Sequence, residues 1–146
     1  MSLPNKTILI IEANFYQDIA YGLTEGATDV LEKAGYIYER ITVPGCFEIP
    51  TTLAMAIDTN RYAGYIALGC VIRGQTTHYD HVCHESIQGL NRLAIKHRVP
   101  VGLGIITANN RKQAYARCAS NTQNFGHRAA NACLTMMRVK KQLAQP

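Results

Sequence analysis

The sequence predicts an α/β sandwich, a parallel sheet lying between two layers of helices. Four short apolar runs alternate with longer segments whose apolar residues recur at helical spacing. Most of these runs are apolar at successive positions, the pattern of strands covered on both faces, as parallel sheets are. Gly, Pro or Asn punctuates the connections between them.

Each element has its own local reason. Residues 7–13 (TILIIEA) form the first continuous run. Over residues 18–34, Ile19, Leu23, Ala27, Val30, Leu31 and Ala34 repeat with helical period, and Gly35 ends the pattern. Residues 36–43 alternate as a strand does and stop at Pro44-Gly45. Residues 49–57 fit a helix with Pro50 in the first turn, where its missing N–H costs nothing. Residues 63–72 (AGYIALGCVI) read as a buried strand, and the polar loop 73–78 leads into a helix ending near His97. The fourth strand covers 99–107, Asn109 or Asn110 caps a short helix over 111–119, and an amphipathic helix spans 125–142. The expectation is one three-layer domain over residues 1–146 with a four-stranded parallel sheet. Ligands in such folds sit beyond the carboxyl ends of the strands. Here those ends are residues 14–16, 45–48, 73–78 and 107–110, all rich in polar and aromatic groups.

Composition narrows the class. With 47% hydrophobic and 17% charged residues in 146, the chain has material for a core and is not of the disordered class. No apolar run reaches the roughly 18 residues of a membrane span. Residues 1–6 lack the apolar stretch of a secretory signal, so a cytoplasmic protein is expected. Five cysteines at irregular spacing, with no Cys-x-x-Cys, argue for buried free thiols rather than disulfides or a zinc ribbon. Charge is uneven: residues 1–85 carry all 10 acids and 5 Lys/Arg, whereas residues 86–146 carry 10 Lys/Arg and no acid. No basic run or RGG segment accompanies this asymmetry, so nucleic acid is not the expected partner. An anionic substrate, a subunit contact or the acidic half itself would each answer it.

Several strings bear on chemistry. Arg73-Gly-Gln-Thr-Thr-His78 follows a buried strand and opens a helix, so it is either an anion site built on helix N–H groups or an ordinary cap. It matches neither a Walker loop nor a dinucleotide fingerprint. His78, His81 and His84 step by three and therefore rotate around the helix, which disfavours a shared metal ion and leaves His78 as an acid/base candidate or a surface cap. Residues 44–50 (PGCFEIP) present Phe47 and Glu48 at the sheet edge, suited to a heterocycle with hydroxyls, or else a turn with a core aromatic. Phe15 would stack on a planar ligand or simply pack. Arg117 would clamp a phosphate or remain solvated.

Together and in this order, PGCFEIP, ALGCVIRGQTTHYD (residues 67–80) and QAYAR (residues 113–117) resemble the lumazine synthase family, over about residues 8–137. The resemblance implies a flavodoxin-like sandwich. It implies condensation of 5-amino-6-(D-ribitylamino)uracil with 3,4-dihydroxy-2-butanone 4-phosphate to 6,7-dimethyl-8-ribityllumazine, the penultimate step of riboflavin biosynthesis, with release of phosphate and water. No metal or organic cofactor is implied. By motif, Phe15 would stack on the pyrimidinedione, with Cys46, Phe47 and Glu48 meeting the same substrate. Cys70, Val71 and Ile72 would line the pocket largely through backbone. Gln75, Thr76 and Arg117 would hold the phosphate, and His78 would shuttle protons. The implied partners are two small-molecule substrates and further copies of the chain, a homopentamer with sites between subunits and Leu103 reaching in from a neighbour.

Three departures modify this picture. A lysine usual before the glycine that opens the last helix is replaced in Asn124-Phe125-Gly126, with His127 or Arg128 as substitutes, and weaker uracil binding is expected. Leu103 replaces a common phenylalanine. The 14 residues before Phe15 make a short arm, which favours a free pentamer over a closed shell, although residues 118–124 hold no insertion that would prevent one. A binding scaffold that keeps the pocket without turnover is the alternative. A flavodoxin-like electron carrier fits less well, because Glu12-Ala13-Asn14-Phe15 is not a Ser/Thr-rich phosphate loop.

Overall fold

Successive residues of the first strand face opposite helical layers, and that alternation organises the molecule. The structure, a computed structural model, describes residues 7–146. Residues 1–6, and the expectations drawn from the N-terminal arm, lie outside the described residues. The chain runs β1 (Thr7–Ala13), α1 (Gln17–Lys33), β2 (Ile37–Val43), a 3₁₀ turn (Cys46–Glu48) leading into α2 (Ile49–Ile57), then β3 (Gly64–Ile72), α3 (His78–His97), β4 (Val101–Ala108), α4 (Arg111–Cys118) and α5 (Phe125–Ala144). The sheet order is β2-β1-β3-β4, with every neighbouring pair parallel. The α/β three-layer sandwich with a four-stranded parallel sheet, flavodoxin-like in its order, is therefore the architecture. The 3₁₀ turn was not legible in the sequence, and β4 starts at Val101 because Arg98 ends α3 in the left-handed region (φ 53) and Pro100 follows it.

Ile8 and Ile10 of β1 join Ile66, Leu68 and Ile106 in a core under α1, α4 and α5. Leu9, Ile11 and Ala13 join Tyr65, Ala67 and Ile105 under α2 and α3. Period-two alternation thus serves two buried faces at once. The α5 layer sits very close to the sheet. A Cβ on Gly102 would strike the Ala129 carbonyl, and one on Gly126 would strike the carbonyl of Leu23.

Glu12 interrupts the apolar run of β1 and is 6% exposed. It accepts hydrogen bonds from Arg40 Nη2 (2.7 Å) and Nε (3.2 Å), Thr24 Oγ1 (2.8 Å) and Thr42 Oγ1 (3.1 Å). Burial pushes its pKa up, but Arg40, Thr24 and Thr42 together outweigh burial and hold it below the ordinary carboxylate value. A carboxyl lowered in the folded state stabilises the fold above its unfolded pKa and loses that contribution as pH falls through the folded one. Glu12→Gln is therefore expected to cost about 1–2 kcal/mol at pH 7. The gap from the wild type should shrink in denaturant titrations below about pH 4.

Asn124, 2% exposed, ties three helices together. Its Nδ2 donates to the carbonyls of Gly22 (3.0 Å), Cys118 (3.0 Å) and Ala119 (3.1 Å), while its Oδ1 accepts from His127 N (3.0 Å) and caps α5. Asn124→Ala removes those three donated bonds, leaves the capped amide unpaired and should cost about 2–4 kcal/mol. Asn124→Asp keeps the cap but aims an oxygen at carbonyls, so thermal melts should show it failing to rescue stability.

Candidate active site

Strand order creates a crevice before any side chain fills it. β1 leads to β2 on one side, while β3 and β4 lie on the other, so the sheet has its topological switch point between β1 and β3. β1 pairs with β3 only as far as Glu12 and Leu68, and β3 continues to Ile72 against β4. Beyond the carboxyl end of β1 the overhanging wall of β3 opens into a cavity of about 620 Å³. Cys70, Val71 and Ile72 line it from β3, and Phe15 lines it from the β1–α1 connection. The turn after β2 adds Cys46, Phe47 and Glu48. Phe15 is 72% and Phe47 61% exposed, so two aromatic rings stand in solvent at one edge of the cavity wall.

The start of α3 closes the other side with Gly74, Thr76 and His78. Thr77 stands at the N-cap without a side-chain cap, and Thr76 Oγ1 instead accepts from His78 N (3.3 Å). The start of α3, with the positive end of its dipole, therefore lies at the cavity, a setting suited to an anion although the amides of His78 and Asp80 are already bonded to Thr76 Oγ1 and the Thr77 carbonyl. Arg73 fixes the loop. Its Nε donates to Asn109 Oδ1 (3.1 Å), its guanidinium lies 4.4 Å from the Tyr79 ring centroid, and Nη2 is 3.5 Å from Asp80 Oδ1.

The thiols of the wall are neutral. Burial, reinforced by neighbouring Cys70, pushes the Cys46 thiol up to about 12. Burial likewise pushes Cys70 up to about 12, with Cys118 adding to it. Protonated sulfur is a poor nucleophile, so the wall offers shape and weak polarity beside whatever electrophile enters. All five cysteines are free.

A family profile described as 6,7-dimethyl-8-ribityllumazine synthase matches residues 5–141. The chain is 47% identical to the 6,7-dimethyl-8-ribityllumazine synthase of Agrobacterium fabrum over 98% of this chain and 99% of that one. It is 46% identical to that of Nitrobacter hamburgensis, covering 94% and 87% of the two chains. It is 45% identical to that of Bartonella bacilliformis, covering 94% and 92%. The chain belongs to the 6,7-dimethyl-8-ribityllumazine synthase family.

Within this member of the lumazine synthase family, most of the residues singled out by sequence share one cavity, and Gln75, Leu103 and Arg117 lie outside its lining. Phe15, Cys46, Phe47, Glu48, Cys70, Val71, Ile72, Thr76 and His78 share the one cavity. Gln75 lies between two lining residues without lining the cavity itself. Leu103 instead lines a groove of about 590 Å³ between α3 and β4, with Tyr79, Cys83 and His84. Arg117 is outside the cavity, its Nη1 donating to the Gln113 carbonyl (2.9 Å). Phe125 packs on the core beneath α1 and α5, 5.1 Å from the Arg128 guanidinium, so a lysine there would have to cross an apolar contact.

The histidines also divide. His78 and His81 line the cavity, and His84 lines the second groove. Sequence reasoning missed Tyr79, His81, Val82 and Glu85 as lining residues and gave Tyr16 no role beyond its place in the segment 14–16. A signal was available for His81, Val82 and Glu85: with His78 they form an i, i+3, i+4, i+7 stripe on one helix face. Among the described residues no helix is long and apolar enough to cross a membrane.

Proposed function

We propose that the chain condenses 5-amino-6-(D-ribitylamino)uracil with 3,4-dihydroxy-2-butanone 4-phosphate, giving 6,7-dimethyl-8-ribityllumazine, phosphate and water in the penultimate step of riboflavin biosynthesis. Family membership supports the reaction. The observation that carries it to particular residues is the meeting of Phe15, Glu48, Thr76 and His78 around one cavity at the switch point.

In this reading Phe15 stacks on the pyrimidinedione, and Glu48 holds ribityl hydroxyls beside Phe47 and Cys46. The edge of β3 at Cys70, Val71 and Ile72 offers main-chain groups to the ring. Gln75 and Thr76, with the amides of α3, receive the phosphate. The 5-amino nitrogen adds to the ketone and loses water to form an imine. Phosphate then leaves, and the ribityl-bearing nitrogen closes the second ring with loss of another water. His78 stands where it can take and return protons through these steps. Alignment of an already nucleophilic amine with an electrophilic ketone supplies much of the acceleration. Positive dipole at the α3 terminus stabilises the departing phosphate. The neutral thiols of Cys46 and Cys70 spare the ketone from competing addition.

Leu103 and Arg117 lie outside the cavity of their own chain. We infer that a second copy completes the site, Leu103 entering from a neighbour, in a homopentamer whose mass sedimentation would report. Five free cysteines suit a reducing cytoplasm.

Mixing purified protein with both substrates and following the lumazine absorbance tests this reading. Wild-type turnover is expected, and His78→Ala should lower kcat at least about tenfold. A turnover unchanged in that variant would assign the acceleration to alignment alone. Phe125→Lys should lower KM for the aminouracil if Phe125 weakens its binding, and an unchanged KM removes that role. Absence of any wild-type product above the spontaneous rate, with riboflavin still bound, would make the protein a binding scaffold.

A further inference from the structure

We propose that Tyr115 is a positioning residue for the stacking aromatic: with Arg111 and Asp18 it latches Tyr16, and through Tyr16 it sets the orientation of Phe15. The inference rests on the reading that Phe15 stacks on the pyrimidinedione.

Phe15 has little to hold it by burial, being 72% exposed. Its ring stands edge-on against Tyr16, centroids 4.9 Å apart at an interplanar angle of 79°. Such an edge contact transmits orientation, because turning either ring destroys it. Tyr16 packs partly against the core, and the Arg111 guanidinium lies 5.1 Å from its ring centroid. Arg111 is in turn aimed by Tyr115, whose hydroxyl accepts from Arg111 Nη1 at 3.2 Å. The same hydroxyl donates to Asp18 Oδ2 at 2.7 Å, and Asp18 Oδ1 accepts from Ile19 N at 2.9 Å. The circuit therefore closes on itself. It leaves the β1–α1 connection at Tyr16, crosses to α4, and returns to the first turn of α1 two residues further on.

The hydroxyl is the part of Tyr115 that matters, since the side chain is itself 42% exposed and buries little. Tyr115→Phe removes both hydrogen bonds while preserving the ring. It does not undo α4, whose start is held separately by Asn110 Oδ1, accepting from Gln113 N (2.9 Å), and by Asn109 N donating to Gln113 Oε1 (2.7 Å). Loss of the latch frees Arg111 from its partner and Tyr16 from Arg111, and Phe15 then samples rotamers that do not face the cavity. The cost falls on the planar substrate. The phosphate-bearing one binds at the α3 terminus, away from the latch, and Arg117 of α4 keeps its own bond to the Gln113 carbonyl whether or not the Tyr115 hydroxyl is present.

Steady-state kinetics with each substrate varied in turn test this. Tyr115→Phe should raise KM for the aminouracil about three- to tenfold, the range of one or two partly exposed hydrogen bonds. KM for the butanone phosphate should stay within about twofold. Arg111→Met, which keeps the aliphatic stem, should shift the same constant in the same direction. In a Phe15→Ala background Tyr115→Phe should add nothing further, because the group it positions is gone. The latch is overturned if the aminouracil KM is unchanged, if both KM values rise together, or if the effect is undiminished in the Phe15→Ala background. Lack of turnover by the wild type would overturn the synthase reading and the latch with it. Turnover with an unshifted KM overturns the latch alone.

Discussion

Three helices meet at one buried amide. Asn124 shares its two N–H groups among carbonyls of α1, of the last residue of α4 and of the residue after it, and its oxygen starts α5. No other side chain of that size both donates twice and accepts; Asp lacks the donors, and an apolar residue strands them all. The sequence makes room for it, since a Cβ on Gly26 of α1 would collide with the Asn124 side chain. The consequence reaches the site. α4 has eight residues, of which only Ala114 is buried, so it cannot be held by apolar burial. Asn124 at its far end, Asn110 at its start and the Tyr115 hydroxyl on its flank hold it instead. A helix placed by polar contacts can then impose geometry on the loop that carries Phe15.

The cavity follows from connectivity more than from any motif. With order β2-β1-β3-β4, the chain leaves β1 in one direction and resumes beyond it in the other, so the carboxyl ends of β1 and β3 cannot be bridged by a common crossover. What fills that gap violates ordinary burial preferences. Phe15 and Phe47 are exposed there, while Glu12, in β1 but outside the cavity lining, is buried. Glu12 is matched by Arg40 and two threonines and serves the fold, whereas among the described residues the one ring contact of this pair is that of Phe15 with Tyr16. Local rules broken without local compensation mark functional positions.

Much of this was legible in the sequence, for identifiable reasons. Strands buried on both faces write continuous apolar runs, so residues 7–13 and the run ending at Ile72 declared themselves. The rule of carboxyl ends then located the cavity segments. Edge strand β2 was harder, for its alternation promised a half-buried face, yet Ile37 is 67% and Ile41 39% exposed. Asn124 reads in sequence as a mere cap, because its other partners lie 102, 6 and 5 positions away. Tyr115 and Asp18 are 97 apart, and nothing local announces that they touch. Among the described residues the ion pairs Asp29–Lys33, Glu12–Arg40 and Arg73–Asp80 each lie within residues 1–85, and the acidic half meets the basic one where Tyr115 links Asp18 to Arg111.

Charge along the cavity wall would order its occupants. Glu48 and Glu85 line the cavity, and His78 and the start of α3 lie along its loop side. α4 bears Arg111, Lys112 and Arg117 without an acid, near the carboxyl end of β4. In the proposed orientation an anionic phosphate gains at the helix terminus and loses beside the carboxylates, whereas a ribityl chain, a neutral polyol, can donate to a carboxylate at no such cost. Specificity then has a repulsive part as well as an attractive one. In that orientation the two substrates would be sorted by where each is refused, and the amine would meet the ketone from one side only.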